Sequence, residues 1–286
     1  MPPRPFAHLH LHTQFSLLDG AIQHKALFER VRSLGMPAVA MTDHGNLFGA
    51  VEFHEKARAA GVKPLLGCEV YVASGSRHDK EKRERDDSGF DAINHLLLVA
   101  MNDVGYRNLV YLVSMGYLEG FYYKPRIDLD LLRQHSEGLI ATSGCLSSMI
   151  SRAILDRDAE RAWRLVEEFA GMFPGRFYLE MQRHGIPAQD LVNAELVKMA
   201  SDLRLPLVAT NDAHYLEGAD HEPHDILLCI GTAANYDDAK RFRFDGKGFY
   251  VKDGDEMAAL FADHPSAVAA TLEIAERCDV ELEMGK

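Results

Sequence analysis

Short apolar runs alternate with stretches of helical periodicity along nearly the whole chain, and this alternation removes most architectures from consideration before any single residue is weighed. The apolar runs fall at 37–41 (PAVAM), 63–72, 95–101 (HLLLVAM), 138–144, 176–181 (RFYLEM) and 205–212. Ahead of them, 6–12 (FAHLHLH) alternates strictly, which as a strand puts His8, His10 and His12 on one face and Leu9 and Leu11 on the other. Helical patterns occupy 21–34, 48–60, 104–118, two segments within 146–172, and 188–203. Gly35 and Gly61 stand just past the first two, where a left-handed C-terminal cap needs glycine. A short helix near 221–231, a strand at 249–252 and helices within 255–278 follow. Strand–helix alternation predicts parallel strands joined by helical crossovers. About seven strand candidates, with no GxGxxG turn after the first, favour a distorted (β/α)7 barrel over a doubly wound sheet. The segment 74–92 breaks the rhythm: SGSRHDKEKRERDDSGFDA is charged and poor in apolar residues, and is expected to be an exposed loop or a flexible hairpin.

Composition narrows the function. With 286 residues, 47% of them hydrophobic, one large domain with a sizeable core is expected over 1–286. The net charge of −12 argues against a broad nucleic-acid-coating face. It leaves room for a small phosphate-reading site, because bound divalent cations reverse the local sign. Cys68, Cys145, Cys229 and Cys278 form no CxxC pair, so neither a zinc ribbon nor a redox motif is present, and free thiols in a reducing compartment are expected. No stretch is long and apolar enough for a signal peptide or a membrane span; the expected location is the cytoplasm, with no membrane partner. GxSxG, P-loop and HExxH motifs are absent.

In a β/α barrel, chemistry collects at the C-terminal ends of the strands. His10 and His12 end the first strand, two residues apart and facing the same way. Asp43 and His44 follow the second strand, Glu69 sits late in the third, Cys145 follows 138–142, and Asp212 and His214 follow 205–210. Five strand ends thus carry metal-type ligands, and buried charges persist only when paired or metal-bound. The mixture of imidazole, carboxylate and thiol suits zinc, manganese or iron. A multi-metal cluster of this kind matches phosphate ester hydrolysis, since it generates hydroxide near neutral pH and clamps the phosphoryl oxygens without a protein nucleophile.

The stretches FAHLHLHTQFSLLDG, MTDHGNLFGAVEF, GCEVYVA, NHLLLVA, GFYYKPRID, TSGCLSS and ATNDAHYL resemble, in order, the PHP (polymerase and histidinol phosphatase) family, in the branch found at the N-terminus of bacterial DNA polymerase III alpha subunits. The HxH and TDHG motifs indicate the superfamily; SLLDG, GNLFGAVEF and GFYYKPRID are narrower. The resemblance implies a distorted seven-stranded PHP barrel with up to three divalent ions (zinc, manganese, iron or magnesium). The ligands it implies are His10, His12, Asp19, His44, Glu69, His95, Cys145, Asp212 and His214, with Asp19, His44 and Asp212 closest to the chemistry. Strand-end reasoning alone misses Asp19 and His95. It adds Asp43, to which the resemblance gives a supporting role. His95 precedes its apolar run, so the barrel rule does not predict it.

The same resemblance implies a metal-dependent phosphodiesterase with 3′–5′ exonuclease activity on a DNA primer end. All nine positions hold residues able to bind metal, whereas catalytically silent members have lost some. Two alternatives are a silent module that stabilises the polymerase and docks a separate proofreading exonuclease, and a free-standing small-molecule phosphatase. The remainder of the alpha subunit is an implied partner, with 270–286 as the start of the connection to it. Tyr122, Lys124 and Arg126 in GFYYKPRID are candidates for phosphate contact, as arginine suits phosphate oxygens. His8 either orients a ligand or packs. Glu180, Gln182 and His184 alternate and could line the barrel mouth, while 77–87 reads as a solvated loop.

Overall fold

The computed structural model describes residues 4–80 and 93–282. Its elements are α1 (His24–Ser33), β1 (Ala38–Met41), α2 (Ala50–Ala60), β2 (Lys63–Ala73), β3 (Ile93–Ala100), α3 (Asp103–Leu118), β4 (Arg126–Ile127), α4 (Leu129–Gln134), β5 (Leu139–Thr142), α5 (Met149–Leu155), α6 (Ala159–Met172), β6 (Phe177–Met181), α7 (Pro187–Leu203), β7 (Leu207–Ala209), α8 (His221–Thr232), α9 (Gly254–Leu260) and α10 (Pro265–Arg277). Helix ends obey their local chemistry. Asn102 caps α3 through its side chain, as Asp253 does α9, and Gly61 ends α2 in the left-handed conformation.

The sheet runs β1-β2-β3-β5-β6-β7, with β4 beside β2. The first apolar segment is not a continuous strand. It nonetheless closes the ring: His8 bridges Val39 beside β1, and Leu11 bridges Ala213 just past β7. Main-chain bonds from Thr42 N to Leu11 O and from His12 N to Ala213 O fasten both seams. With that segment the sheet becomes a distorted seven-stave barrel. The expected strand at 249–252 is reduced to a single bridge between Tyr250 and Tyr215.

One expectation is overturned. Alternation predicted parallel strands throughout, but β3 is antiparallel to both β2 and β5. The sequence between β2 and β3 has no helical periodicity, so it offers no crossover helix, and a strand that follows without one must run back. The expected loop at 74–92 falls partly within the described residues. There Arg77 is tied to Asp128 and Glu119 rather than solvated, and 81–92 lies outside the described residues.

The barrel interior changes character along its axis. Leu9, Ala40, Leu65, Val99, Ile140, Tyr178 and Val208, from every stave, form one apolar cluster, joined by Ala270, Ile274, Ala275 and Cys278 of α10 and the residue after it. Within 270–286, the stretch expected to start a connection, residues 270–278 pack against the barrel's closed end. Strand side chains repeat every second residue. Moving inward along the same faces gives Glu69 from Leu65, Thr142 from Ile140, Glu180 from Tyr178, and Thr210 and Asp212 from Val208. On β3, which runs the other way, the same step leads back from Val99 to His95. The opposite strand faces, including Val39, Leu66, Leu98, Phe177 and Leu179, pack beneath the helices in a second, larger core.

Candidate metal centre

The polar end of this interior is built by residues that hold other residues. His10 Nδ1–H donates to Glu180 Oε1 at 2.7 Å. The Glu180 carboxylate also accepts from Thr142 Oγ1, from Thr210 Oγ1 at 2.5 Å and from Gln182 Nε2 at 2.9 Å. Burial works to raise the pKa of Glu180; His10 and the two hydroxyls outweigh it and hold the group below the ordinary carboxylate value. The tautomer of His10 is thereby set, and Nε2 turns its lone pair inward, 3.1 Å from Asp212 Oδ1 and 3.4 Å from Glu69 Oε1. His12 is held in the same way. Its Nδ1–H donates to Ser16 Oγ at 3.0 Å, and the Ser16 hydroxyl donates to Asp43 Oδ1 at 2.7 Å. Asp43 also takes the Thr13 N–H and hydroxyl. Burial, then the charges of His44 and His214, lower the pKa of His12 to about 3, which keeps it in the neutral form a ligand needs.

Glu69 sits at the centre. Oε1 lies 3.1 Å from His95 Nδ1, and Oε2 lies 2.6 Å from His44 Nδ1 and 3.7 Å from His12 Nε2. Cys145 Sγ is 3.6 Å from Glu69 Oε1 and 3.9 Å from His95 Nδ1. Asp19 joins from the SLLDG turn, with Oδ2 2.9 Å from His44 Nε2 and Oδ1 3.8 Å from His214 Nε2. Gly20 makes that turn possible, because a Cβ there would lie 2.1 Å from Thr13 O. His214 Nδ1–H donates to the main-chain oxygen of Asp212, which again frees Nε2. Asp212 has a φ of 45°, a left-handed conformation that a non-glycine residue holds only when its surroundings enforce it. Asn211 enforces it from one side: its amide donates to Gly248 O and Tyr250 O, while Lys252 Nζ donates to its Oδ1 at 2.9 Å.

These residues form three overlapping groupings of metal-ligating atoms: His12, His44 and His214; His10, His12 and Asp212; and His44, Glu69 and His95. Buried atoms without a hydrogen-bond partner concentrate here: His10 Nε2, His12 Nε2, Asp19 Oδ1, His44 Nδ1, Glu69 Oε2, Asp212 Oδ1 and His214 Nε2. Inward-facing acceptors left in this way are costly unless cations lie between them. Burial, followed by Glu69 and Asp212, drives the Cys145 thiol well above its ordinary pKa, so it ionises only beside a positive charge. The donor set and its orphaned atoms fit divalent metal ions.

All nine residues expected as ligands meet at this end. The reason His95 escaped the strand-end rule is now structural: on an antiparallel strand the mouth lies at the N-terminal end. Asp43 stands outside the cluster, fastening Thr13 and Ser16. His8 does not share the face of His10. The chain bends at His10, and His8 donates instead to Lys252 O at 2.9 Å and packs on Phe6. Arg126 is a correction as a phosphate contact: its buried guanidinium is taken up by Gly120 O and Asp79 O and lies over the Tyr122 ring. Lys124, by contrast, is exposed, its Nζ 5.3 Å from the centre of the Tyr71 ring. His184 stacks on Phe249 and contacts Asn211 O, away from the ligand atoms. Sequence reasoning missed Ser16, Thr142 and Thr210. Their common signal is a hydroxyl on the inward face of a stave or in the turn beside it.

A family model, the PHP domain, matches residues 8–184. The chain belongs to the PHP domain family. Among curated relatives, DNA polymerase III subunit alpha of Thermus aquaticus is 48% identical over 98% of this chain and 23% of its own length. DNA polymerase III subunit alpha of Borreliella burgdorferi is 46% identical over 96% of this chain and 24% of its own length. This PHP domain chain therefore spans about a quarter of the length of these relatives. Of solved structures, one from Bifidobacterium adolescentis, described as a metal-dependent phosphoesterase, overlaps 75% of this chain and 89% of its own at 17% identity and a TM-score of 0.43. An amidohydrolase from Chromobacterium violaceum overlaps 73% and 87% at 16% identity and a TM-score of 0.44. No helix among the described residues is long and apolar enough to cross a membrane.

Proposed function

We propose that this chain is a metal-dependent phosphodiesterase acting on the 3′ end of a DNA strand, a 3′–5′ exonuclease module at the N-terminus of a DNA polymerase III alpha subunit. The observation that carries the reading is the ring of orphaned acceptors at His10, His12, His44, Glu69, Asp212 and His214, together with the separate residues that aim them. His10, His12, Asp19, His44, Glu69, His95, Cys145, Asp212 and His214 would hold the ions. Bound there, divalent metals supply a nucleophile at neutral pH and neutralise charge building up on the phosphoryl oxygens.

The chain's own residues do the positioning. Glu180 and the Ser16–Asp43 pair fix the two histidines of the first motif, so neither ring can rotate away without losing an outer bond. Asp212 is held by the Asn211 bonds, and Asp19, with its side chain 29% exposed, is more open to solvent than His44 at 14%. That exposure makes the Asp19–His44 edge the side from which a phosphodiester would enter. Lys124, exposed above Tyr71, adds a positive charge beside that edge. The remainder of the alpha subunit is the proposed covalent partner and would carry the duplex, which accords with the −12 charge of this chain.

The test is direct. The chain is loaded with manganese and incubated with 5′-labelled single-stranded and mismatched-primer DNA. A ladder shortening from the 3′ end is expected, and its absence from a D19A/H44A double variant. Cleavage no faster than in that variant, in protein shown to hold metal, would reject the proposal.

A further inference from the structure

Outside the metal-ligating residues, the mouth of the barrel carries an exposed aromatic surface. Phe48 is 60% exposed, Phe121 48% and Tyr117 39%. They are not scattered. The rings of Phe48 and Tyr117 lie 6.2 Å apart, and those of Tyr117 and Phe121 lie 6.1 Å apart and nearly parallel, with 24° between planes. Large rings placed side by side in water cost hydration free energy unless something covers them.

This surface is continuous with the candidate metal centre. Phe48 follows His44 in the same turn, TDHGNLF. His44 stacks on Tyr71, 6.1 Å between centres and 18° between planes, and Lys124 Nζ lies 5.3 Å from the centre of that tyrosine's ring. Gly45, with φ of 61°, presses so closely on Tyr71 and Pro125 that a Cβ would fall 2.8 Å and 3.0 Å from them. Gly116, one residue before Tyr117, rests on Pro125 in turn. The ligand turn, the Tyr122–Pro125 loop and the end of α3 are therefore one packed unit that carries the exposed aromatic row, its Phe48 and Tyr117 planes 44° apart, and the exposed Lys124.

A row of exposed rings, an exposed lysine and a phosphodiester-type site within one packed unit fit one kind of occupant: unpaired nucleotides. Bases stack on aromatic faces irrespective of sequence, and a lysine meets the backbone between them. A duplex end offers only the outer face of its terminal pair, so it cannot lay successive bases on a row of rings. The geometry points to Phe48, Tyr117 and Phe121 as a stacking platform that holds the frayed 3′ end of a DNA strand as it approaches the Asp19–His44 edge, selecting unpaired over paired ends. This inference rests on the phosphodiesterase reading for its purpose, but not for its measurement, because binding is read separately from cleavage.

The experiment uses fluorescence anisotropy of a labelled oligothymidylate and of a blunt hairpin duplex, with calcium as the metal, on the chain and on F48A, F121A, Y117A and the conservative F121W. Loss of a stacked ring should weaken oligothymidylate binding by roughly 5- to 150-fold, as expected for one base–aromatic stack, with F121W close to the parent. Duplex affinity, bound metal and hydrolysis of bis(p-nitrophenyl) phosphate should stay at parent values, which also shows the variants are folded. Oligothymidylate affinity unchanged in all three alanine variants would overturn the inference and leave the surface to a protein segment. So would equal losses on single strand and duplex, or a parent chain that binds no oligothymidylate. A chain that binds the single strand through these rings yet cleaves nothing would sink the phosphodiesterase reading and leave the platform standing.

Discussion

The two ends of the barrel interior are built on the same staves and by the same two-residue step, yet they do opposite things with burial. At the closed end, Leu65, Val99, Ile140, Tyr178 and Val208 meet Ile274 of α10, and the gain is removal of apolar surface from water. At the open end the same faces carry Glu69, His95, Thr142, Glu180, Thr210 and Asp212, and burial is a cost. There hydrogen bonds offset it for Glu180, and bound cations would offset it for the nitrogens and oxygens that lack a hydrogen-bond partner. The difference teaches that stability and function are segregated along one axis. The closed end keeps the staves in register, and the open end spends part of that stability on a cluster that is incomplete by itself.

That contrast can be broken or sharpened by experiment, beginning with the largest effect. Glu69→Ala removes the carboxylate that touches His10, His12, His44, His95 and Cys145. It should lower metal content below a single ion per chain and abolish phosphodiester cleavage; elemental analysis and the DNA ladder check both. Ile274→Ala, at the closed end, should cost about 2–5 kcal/mol in chemical denaturation while leaving metal content intact. If it strips the metal as well, the two ends are not separable. Glu180→Gln keeps the shape but lets His10 choose its tautomer. About a 10- to 100-fold loss in metal affinity is expected, with little change in the apo protein's unfolding midpoint. Smallest of all, Arg77→Ala breaks partly exposed pairs with Glu119 and Asp128. It should cost about 1 kcal/mol or less: differential scanning calorimetry should find a slightly lower melting temperature, and the DNA ladder should find activity untouched.

Much of this was legible in the sequence, for physical reasons that particular residues make plain. His10, His12, Glu69, Cys145 and Asp212 could be read because strand periodicity fixes which way a side chain faces. The end of an apolar run also marks where the barrel opens. His95 could not be read that way, since the rule assumes parallel strands and β3 is antiparallel; strand direction is set by what connects two strands, and the charged segment before β3 carries no periodicity. His8 shows the opposite error. Strict alternation placed it with His10 and His12, but a bend at His10 turns it toward Lys252 O. Arg126 shows a third. An arginine in a loop near a phosphate site has two uses, and the carbonyls of Gly120 and Asp79 that claim it are set by tertiary packing alone. The outer partners of the ligands, Ser16, Thr142, Thr210 and Glu180, are ordinary polar residues whose role depends on which histidine or carboxylate lies across the barrel.

The central claim is that the open end is a site for more than one metal ion, held by residues spread from His10 to His214. The most direct measurement is metal stoichiometry by plasma mass spectrometry, after chelation and reloading with zinc or manganese, on the chain and on His10→Ala. The account predicts more than one tightly bound ion per chain, fewer in the variant, and a rise in unfolding temperature on reloading that the variant shows only in part. A chain that is folded after chelation, takes up no ion and melts at the same temperature with and without metal would contradict it.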